Sequence, residues 1–180
     1  VGFNSGAIGF LPINTAFLSN NRPAPEGGQP PVTPFQRWIP DEGNPAAPVT
    51  GFCTDRSGGF WIATYGEGLY CWKNDRLYQF DATDGLAGAD IYDLACDGQG
   101  NVWAATDAGI SICSMPAPGK KNVKNLTTAD GLPDEIVYTL LTDQQGNIWI
   151  GTYDHGVCRY NIGQQKFEYM LPDWTYGPVT

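Results

Sequence analysis

Three copies of one pattern constrain this chain more than anything else in its 180 residues. Asp55 opens DRSGGFWIAT, Asp97 opens DGQGNVWAAT and Asp143 opens DQQGNIWIGT, with acid, glycine, tryptophan and threonine at the same internal spacing. Trp61, Trp103 and Trp149 stand 42 and then 46 residues apart. A second motif precedes two of the copies: DATDGLAGADIYDLAC before Asp97 and TTADGLPDEIVYTLLT before Asp143. A looser version of its Asp-Gly-Leu triplet, Asp41-Glu42-Gly43, precedes Asp55. A fixed period of 40-odd residues is the mark of a repeat architecture, in which no unit buries its apolar faces alone.

Within a repeat the apolar residues alternate with period two and are bounded by glycine or asparagine. The second copy predicts strands at Ile91–Cys96, Asn101–Ala105, Ile110–Cys113 and Val123–Thr127. Four antiparallel strands per unit define a β-propeller blade, so the expected class is all-β, a partial ring of three full repeats and two fragments. Residues 1–48 would hold the end of one blade and the strand leading into the next. Residues 49–88, 89–134 and 135–171 would each form a blade, and residues 172–180 would start another. Val1–Gly6 overlays the segment from Ile150, and Gly177–Thr180 resembles Ala47–Thr50, so the chain is expected to be a piece of a larger propeller. Pro12–Pro34, with six prolines, interrupts the rhythm. It reads either as a long loop between the third and fourth strands of the first blade or as a disordered linker.

Ten basic against nineteen acidic residues give a formal charge of −9, which argues against a nucleic-acid partner. The one basic cluster, Lys120, Lys121 and Lys124, reads as a solvated loop. No apolar run reaches the roughly 18 residues of a membrane span. Membrane attachment is therefore expected only through parts of a parent chain not present here. The five cysteines (Cys53, Cys71, Cys96, Cys113 and Cys158) show no CxxC pair and suit neither a zinc site nor a disulfide framework. Cys53 and Cys96 read as equivalent first-strand residues and the other three as third-strand residues. First and third strands lie about 9–10 Å apart. All five are therefore expected to be free thiols filling the core.

The recurring D-x-x-G-x-(F/V/I)-W-(I/A)-(A/G)-T, followed by glycine and then D-G-L, resembles the two-component regulator propeller repeat. The likeness covers nearly the whole chain apart from Pro12–Pro34. That family forms large periplasmic sensor regions of bacterial hybrid two-component systems and occurs in other secreted or surface proteins. The resemblance implies a periplasmic or extracellular ligand-sensing or interaction propeller, with polysaccharide breakdown products as the ligand class and the remaining blades as partners.

Carboxylates in pairs can do acid–base work. Asp55, Asp97 and Asp143 recur in every copy, however, and stand in tight turns, where a carboxylate accepts backbone N–H bonds. The tryptophans read as packing between blades, with sugar stacking as the competing use, and Thr64, Thr106 and Thr152 as cross-strand hydrogen-bonding groups. His155 is the only histidine, which leaves no pair for a metal site or relay. It reads as a ligand contact or as an exposed turn residue. No catalytic or cofactor motif appears, so neither catalysis, a metal nor a cofactor is expected.

Strand alternation places the uniform Asp turns at one end of the propeller and the variable turns at the other, beside the D-G-L segments. Variation on a constant scaffold is where recognition can reside. The expected ligand-binding residues are Tyr65, Glu67, Asp107, Tyr153, Asp154 and His155, which suit a carbohydrate-like ligand. The alternatives are a structural or protein-interaction propeller of a secretion or surface assembly and, less favoured, a propeller lyase or quinone-dependent dehydrogenase.

Overall fold

The computed structural model describes residues 45–170, together with the short strands Gly9–Phe10 and Gln36–Arg37. These two strands, β1 and β2, pair antiparallel, Gly9 with Arg37 and Phe10 with Gln36. Pro12–Pro34, the looser Asp41–Gly43 copy and the terminal fragments Val1–Gly6 and Gly177–Thr180 lie outside the described residues.

The rest forms three four-stranded antiparallel meanders. The first holds β3 (Val49–Thr54), β4 (Phe60–Thr64), β5 (Leu69–Lys73) and β6 (Arg76–Phe80). In the second, β7 (Ile91–Cys96) and β8 (Val102–Thr106) are followed by β9 (Gly109–Ala117) and β10 (Lys120–Leu126). The third is β11 (Val137–Thr142), β12 (Ile148–Thr152), β13 (Val157–Asn161) and β14 (Lys166–Tyr169). The first strands β3, β7 and β11 lie against one another in succession, without comparable contact between the fourth strands. The sheets thus fan out from a shared inner edge, as blades do. The expected all-β propeller class holds, and the described part of the ring is open. No helix among the described residues is long and apolar enough to cross a membrane.

Two cores glue the fan together. One joins Trp61, Leu69, Cys71, Phe80 and Leu86 of the first blade to Ile91, Leu94, Val102, Cys113 and Met115 of the second. The other joins Trp103, Ile110, Leu126 and Leu132 to Val137, Ile148, Ile150, Cys158, Tyr160 and Phe167. Middle strands such as β8, buried at every residue, pack on both faces, so their sequence VWAAT is apolar throughout apart from its closing threonine. The tryptophans occupy equivalent positions, opposite Cys53, Ala95 and Leu141 on the neighbouring strands. Trp61 and Trp103 are buried, whereas Trp149, on the last described sheet, is half-buried.

Each D-G-L segment is a compact joint between blades. Asp81 and Thr127 cap short 3-10 turns, while Asp84 and Asp130 complete capping boxes by accepting the cap residues' own backbone N–H. Gly85 and Gly131 end the turns at φ 97° and 99°, a left-handed conformation that glycine adopts without strain. Leu86 and Leu132 then plug the inter-blade cores.

The basic cluster is not a loop. Lys120, Lys121 and Lys124 lie in β10, and Lys121 Nζ pairs with Asp84 at 2.6 Å while passing over the Phe80 ring. Only Val123 and Leu126 of β10 are apolar, so no apolar run reveals the strand.

Candidate functional site

The repeated Asp turns are architecture. Asp55 Oδ1 accepts the N–H groups of Ser57 and Gly59 at 2.7 and 2.9 Å, and Oδ2 accepts the Trp61 indole N–H at 2.8 Å. Asp97 repeats this with Gln99, Asn101 and Trp103, and Asp143 with Gln145, Asn147 and Trp149. One carboxylate thus holds a turn and orients the indole that seals the next interface. The threonines also repeat: Thr64, Thr106 and Thr152 donate their hydroxyls to the carbonyls of Gly68, Gly109 and Gly156 across the second turn.

Burial pushes the Asp55 carboxyl up, but the hydrogen bonds from Trp61, Ser57 and Gly59 outweigh it and hold the group below its ordinary value. The same balance lowers Asp143. A carboxyl with a lowered folded-state value stabilises the fold fully above its unfolded value. That stabilisation fades as pH falls through the folded value. Stability should therefore be flat on the neutral side and decline only below about pH 4. A urea midpoint that drops between pH 7 and 5 would contradict this.

At the opposite end, the second turns of the first two blades lie against the connection into the next first strand, and that of the third blade against the connection into its own. Tyr65 forms a bridge with Asp90, and Gly66 and Gly68 donate to the Ala89 carbonyl. In the third blade, Tyr153 N–H donates to the Ile136 carbonyl and Asp154 N–H to Asp134 Oδ2 at 2.9 Å. His155 Nδ1 is 3.3 Å from the same oxygen. The Asp154 N–H, ahead of the His155 contacts, holds the Asp134 carboxyl below the ordinary carboxylate range.

The first strand of every blade enters with a register shift, between Val49 and Gly51, Ile91 and Asp93, and Val137 and Thr139. The residue at the shift is Thr50, Tyr92 or Tyr138. A bulge re-aims its extra residue out of the ladder. Tyr92 and Tyr138 therefore join the turn tyrosines in a continuous row: Tyr65–Tyr92 at 6.1 Å, Tyr92–Tyr138 at 4.9 Å and Tyr138–Tyr153 at 5.7 Å between ring centroids. Tyr65, Tyr138 and Tyr153 are each about half exposed. Burial first, then Tyr65 and the carboxylates of Asp107 and Asp90, raises the Tyr92 phenol above its ordinary value, so it stays a neutral donor.

Of the six residues expected from sequence, the structure brings Tyr65 and Tyr153 into this row and leaves Asp107 exposed in the second blade's turn. Asp154 and His155 are exposed in the same turn as Tyr153. Glu67 differs: its Oε2 accepts Ala46 N–H at 2.9 Å and the Tyr70 hydroxyl at 3.1 Å, an anchoring role. Tyr92 and Tyr138 escaped the sequence reading, although they hold corresponding places in DIYDLA and EIVYTLL. No cluster of metal-ligating side chains occurs among the described residues.

A separate cleft of about 290 Å³ lies between the second and third blades toward the Asp-turn end, lined by Trp103, Tyr160, Asn122, Lys124 and Gln165 among others. Trp103 and Tyr160 there are core residues packed ring to ring at 5.1 Å.

A fan of four-stranded sheets sealed by buried tryptophans is a β-propeller segment. The family profile described as two component regulator propeller matches two stretches of the chain, residues 85–108 and 131–154. The extracellular domain of a hybrid two component system from B. thetaiotaomicron is similar at 26% identity and TM-score 0.57, over 66% of this chain and 16% of that one. Virginiamycin B lyase from Staphylococcus aureus is 20% identical at TM-score 0.51, over 69% of this chain and 42% of that one. PorZ, a surface component of the type-IX secretion system of Porphyromonas gingivalis, is 16% identical at TM-score 0.52, over 69% and 20%. These last two likenesses concern the fold alone. No curated protein matches the sequence.

Proposed function

We propose that this chain is part of a non-catalytic, extracytoplasmic sensor propeller and that its tyrosine row binds a carbohydrate-like ligand. The row itself carries the reading. Four tyrosines from two turns and two bulges converge across two blade boundaries, a placement that no single blade's packing requires. Ring faces stack on the C–H faces of sugars, while the phenols and the carboxylates of Asp90, Asp107 and Asp154 can hydrogen-bond to hydroxyls. The family's repeats and the extracellular relative support a sensing role.

Titrating the parent protein with a panel of neutral and uronic-acid oligosaccharides tests this. Replacing Tyr92 and Tyr138 with alanine should weaken binding at least about tenfold, since each stacked ring contributes roughly 1 kcal/mol. Replacing Lys124 and Gln165, which line the other cleft, should leave it unchanged. The reverse result would move the site to the Asp-turn end. Turnover of any oligosaccharide by the wild-type protein would contradict the non-catalytic reading.

A further inference from the structure

The first strands of successive blades share no β-ladder and depend on side chains to join them. Between β7 and β11 the tie is polar: Asp93 Oδ2 accepts Leu140 N–H at 2.9 Å and the Thr139 hydroxyl at 3.0 Å, and Thr142 donates to the Cys96 carbonyl at 2.8 Å. Between β3 and β7 the position matching Asp93 is Gly51, which offers no such carboxylate. Thr50 donates to the Ile91 carbonyl at 2.6 Å. Near the other end of the same seam, the Cys53 and Cys96 sulfurs stand 2.7 Å apart.

The strand registers explain the meeting. Cys53 lies opposite Trp61 and Cys96 opposite Val102, so Cys53 matches Ala95 and Cys96 matches Thr54 and Thr142. They are not equivalent residues, as the sequence suggested, but neighbours one step out of phase. First and third strands within one blade lie too far apart for their thiols to meet, whereas the inner strands of adjacent blades converge. All five cysteines are thiols in this structure: Cys71, Cys113 and Cys158 are buried, whereas Cys53 and Cys96 are half-buried.

We propose that Cys53 and Cys96 are a redox pair that closes into an inter-blade disulfide, stapling β3 to β7 at the inner edge of the fan. The sulfurs already lie inside ordinary van der Waals contact, so closure needs no movement of either sheet beyond a small side-chain adjustment. The hydrogen bond with Cys53 holds the Cys96 thiol below its ordinary value and raises that of Cys53, which makes Cys96 the attacking sulfur. With a small disulfide such as oxidised glutathione, the Cys96 thiolate attacks one sulfur and expels one glutathione thiolate. Cys53 then gives its proton to solvent, and its sulfur attacks Cys96 in the mixed disulfide, expelling the second. Two protein thiols lose two electrons and two protons, and the oxidant takes up both electrons as it becomes two glutathione molecules. The proposal does not depend on the ligand reading.

The test equilibrates the reduced 180-residue chain in glutathione buffers of increasing oxidised fraction, followed by thiol titration in denaturant. The count should fall from five to three, with a mass loss of two hydrogens. Tryptic digestion should link the peptide of residues 38–56, whose only cysteine is Cys53, to that of residues 77–120. The latter also holds Cys113, so Cys113→Ser must keep the link. Cys53→Ala with Cys96→Thr places the residues found at the matching sites of other blades, and should therefore fold. That variant should keep three thiols in every buffer and lose the oxidant-dependent rise in Tm, which should be at least about 5 °C in the wild type. Five thiols remaining in strongly oxidising buffer, or a link through Cys71 or Cys113, would overturn the pairing.

Discussion

Replacing Asp97 with alanine is expected to lower stability by about 3 kcal/mol, a large fraction of what a domain of this size possesses. The carboxylate accepts backbone N–H groups from Gln99 and Asn101, the Asn101 side-chain amide and the Trp103 indole. Alanine would leave the indole N–H unpaired beneath a nearly closed surface, because Trp103 is 2% exposed. It would also free the turn and tilt the ring away from Tyr160, the partner that joins the second blade to the third. Asparagine keeps one acceptor but turns a donor toward two donors, so it should recover little. The matching Asp143→Ala change should cost less, because Trp149 is half-buried. Urea midpoints for the three variants check this, and an Asp97→Ala loss under about 1 kcal/mol would show that the turn holds without its carboxylate.

Gly109→Ala should be comparably damaging for a different reason. Gly109 sits at φ 106°, and a Cβ there would lie 2.5 Å from the Leu126 carbonyl oxygen, far inside contact distance. The backbone cannot move aside without cost, since the Gly109 N–H donates to the Glu135 carbonyl and its own carbonyl accepts from Thr106. Steric overlap and left-handed strain together should destabilise by at least about 3 kcal/mol. Gly100 in the same blade supplies the control: φ is 89°, but nothing lies within 4 Å of its added Cβ. Gly100→Ala carries only the conformational strain and should cost about 1 kcal/mol. Equal losses at the two sites would mean that the close approach at Gly109 is relieved by relaxation.

The contrast between these two changes shows which features the sequence exposes. Recurrence made the blades legible, because Asp97, Gly100 and Trp103 stand at fixed offsets in every copy and each offset has a local reason in a turn or a strand. The acid-to-indole bond was not legible, since a six-residue separation across a turn says nothing about which way the ring faces. Tyr92 and Tyr138 were hidden for a related reason. Period-two alternation assumes an unbroken pleat, and a bulge breaks it at the residue concerned. Glu67 looked like a free variable residue because its partners, Ala46 and Tyr70, belong to a connection and a third strand. The meeting of Cys53 with Cys96 depends on how two sheets converge, which no pattern within one repeat records.

Hydrogen–deuterium exchange on the parent protein, with and without an oligosaccharide that binds it, separates the tyrosine row from the cleft. Bound ligand should slow exchange at Tyr65–Gly68, Ile91–Asp93, Val137–Thr139 and Tyr153–Gly156, with Asp97–Trp103 and Asn122–Lys124 unchanged. Slowing confined to Asp97–Trp103 and Asn122–Lys124 would contradict this and place recognition in the cleft beside Trp103.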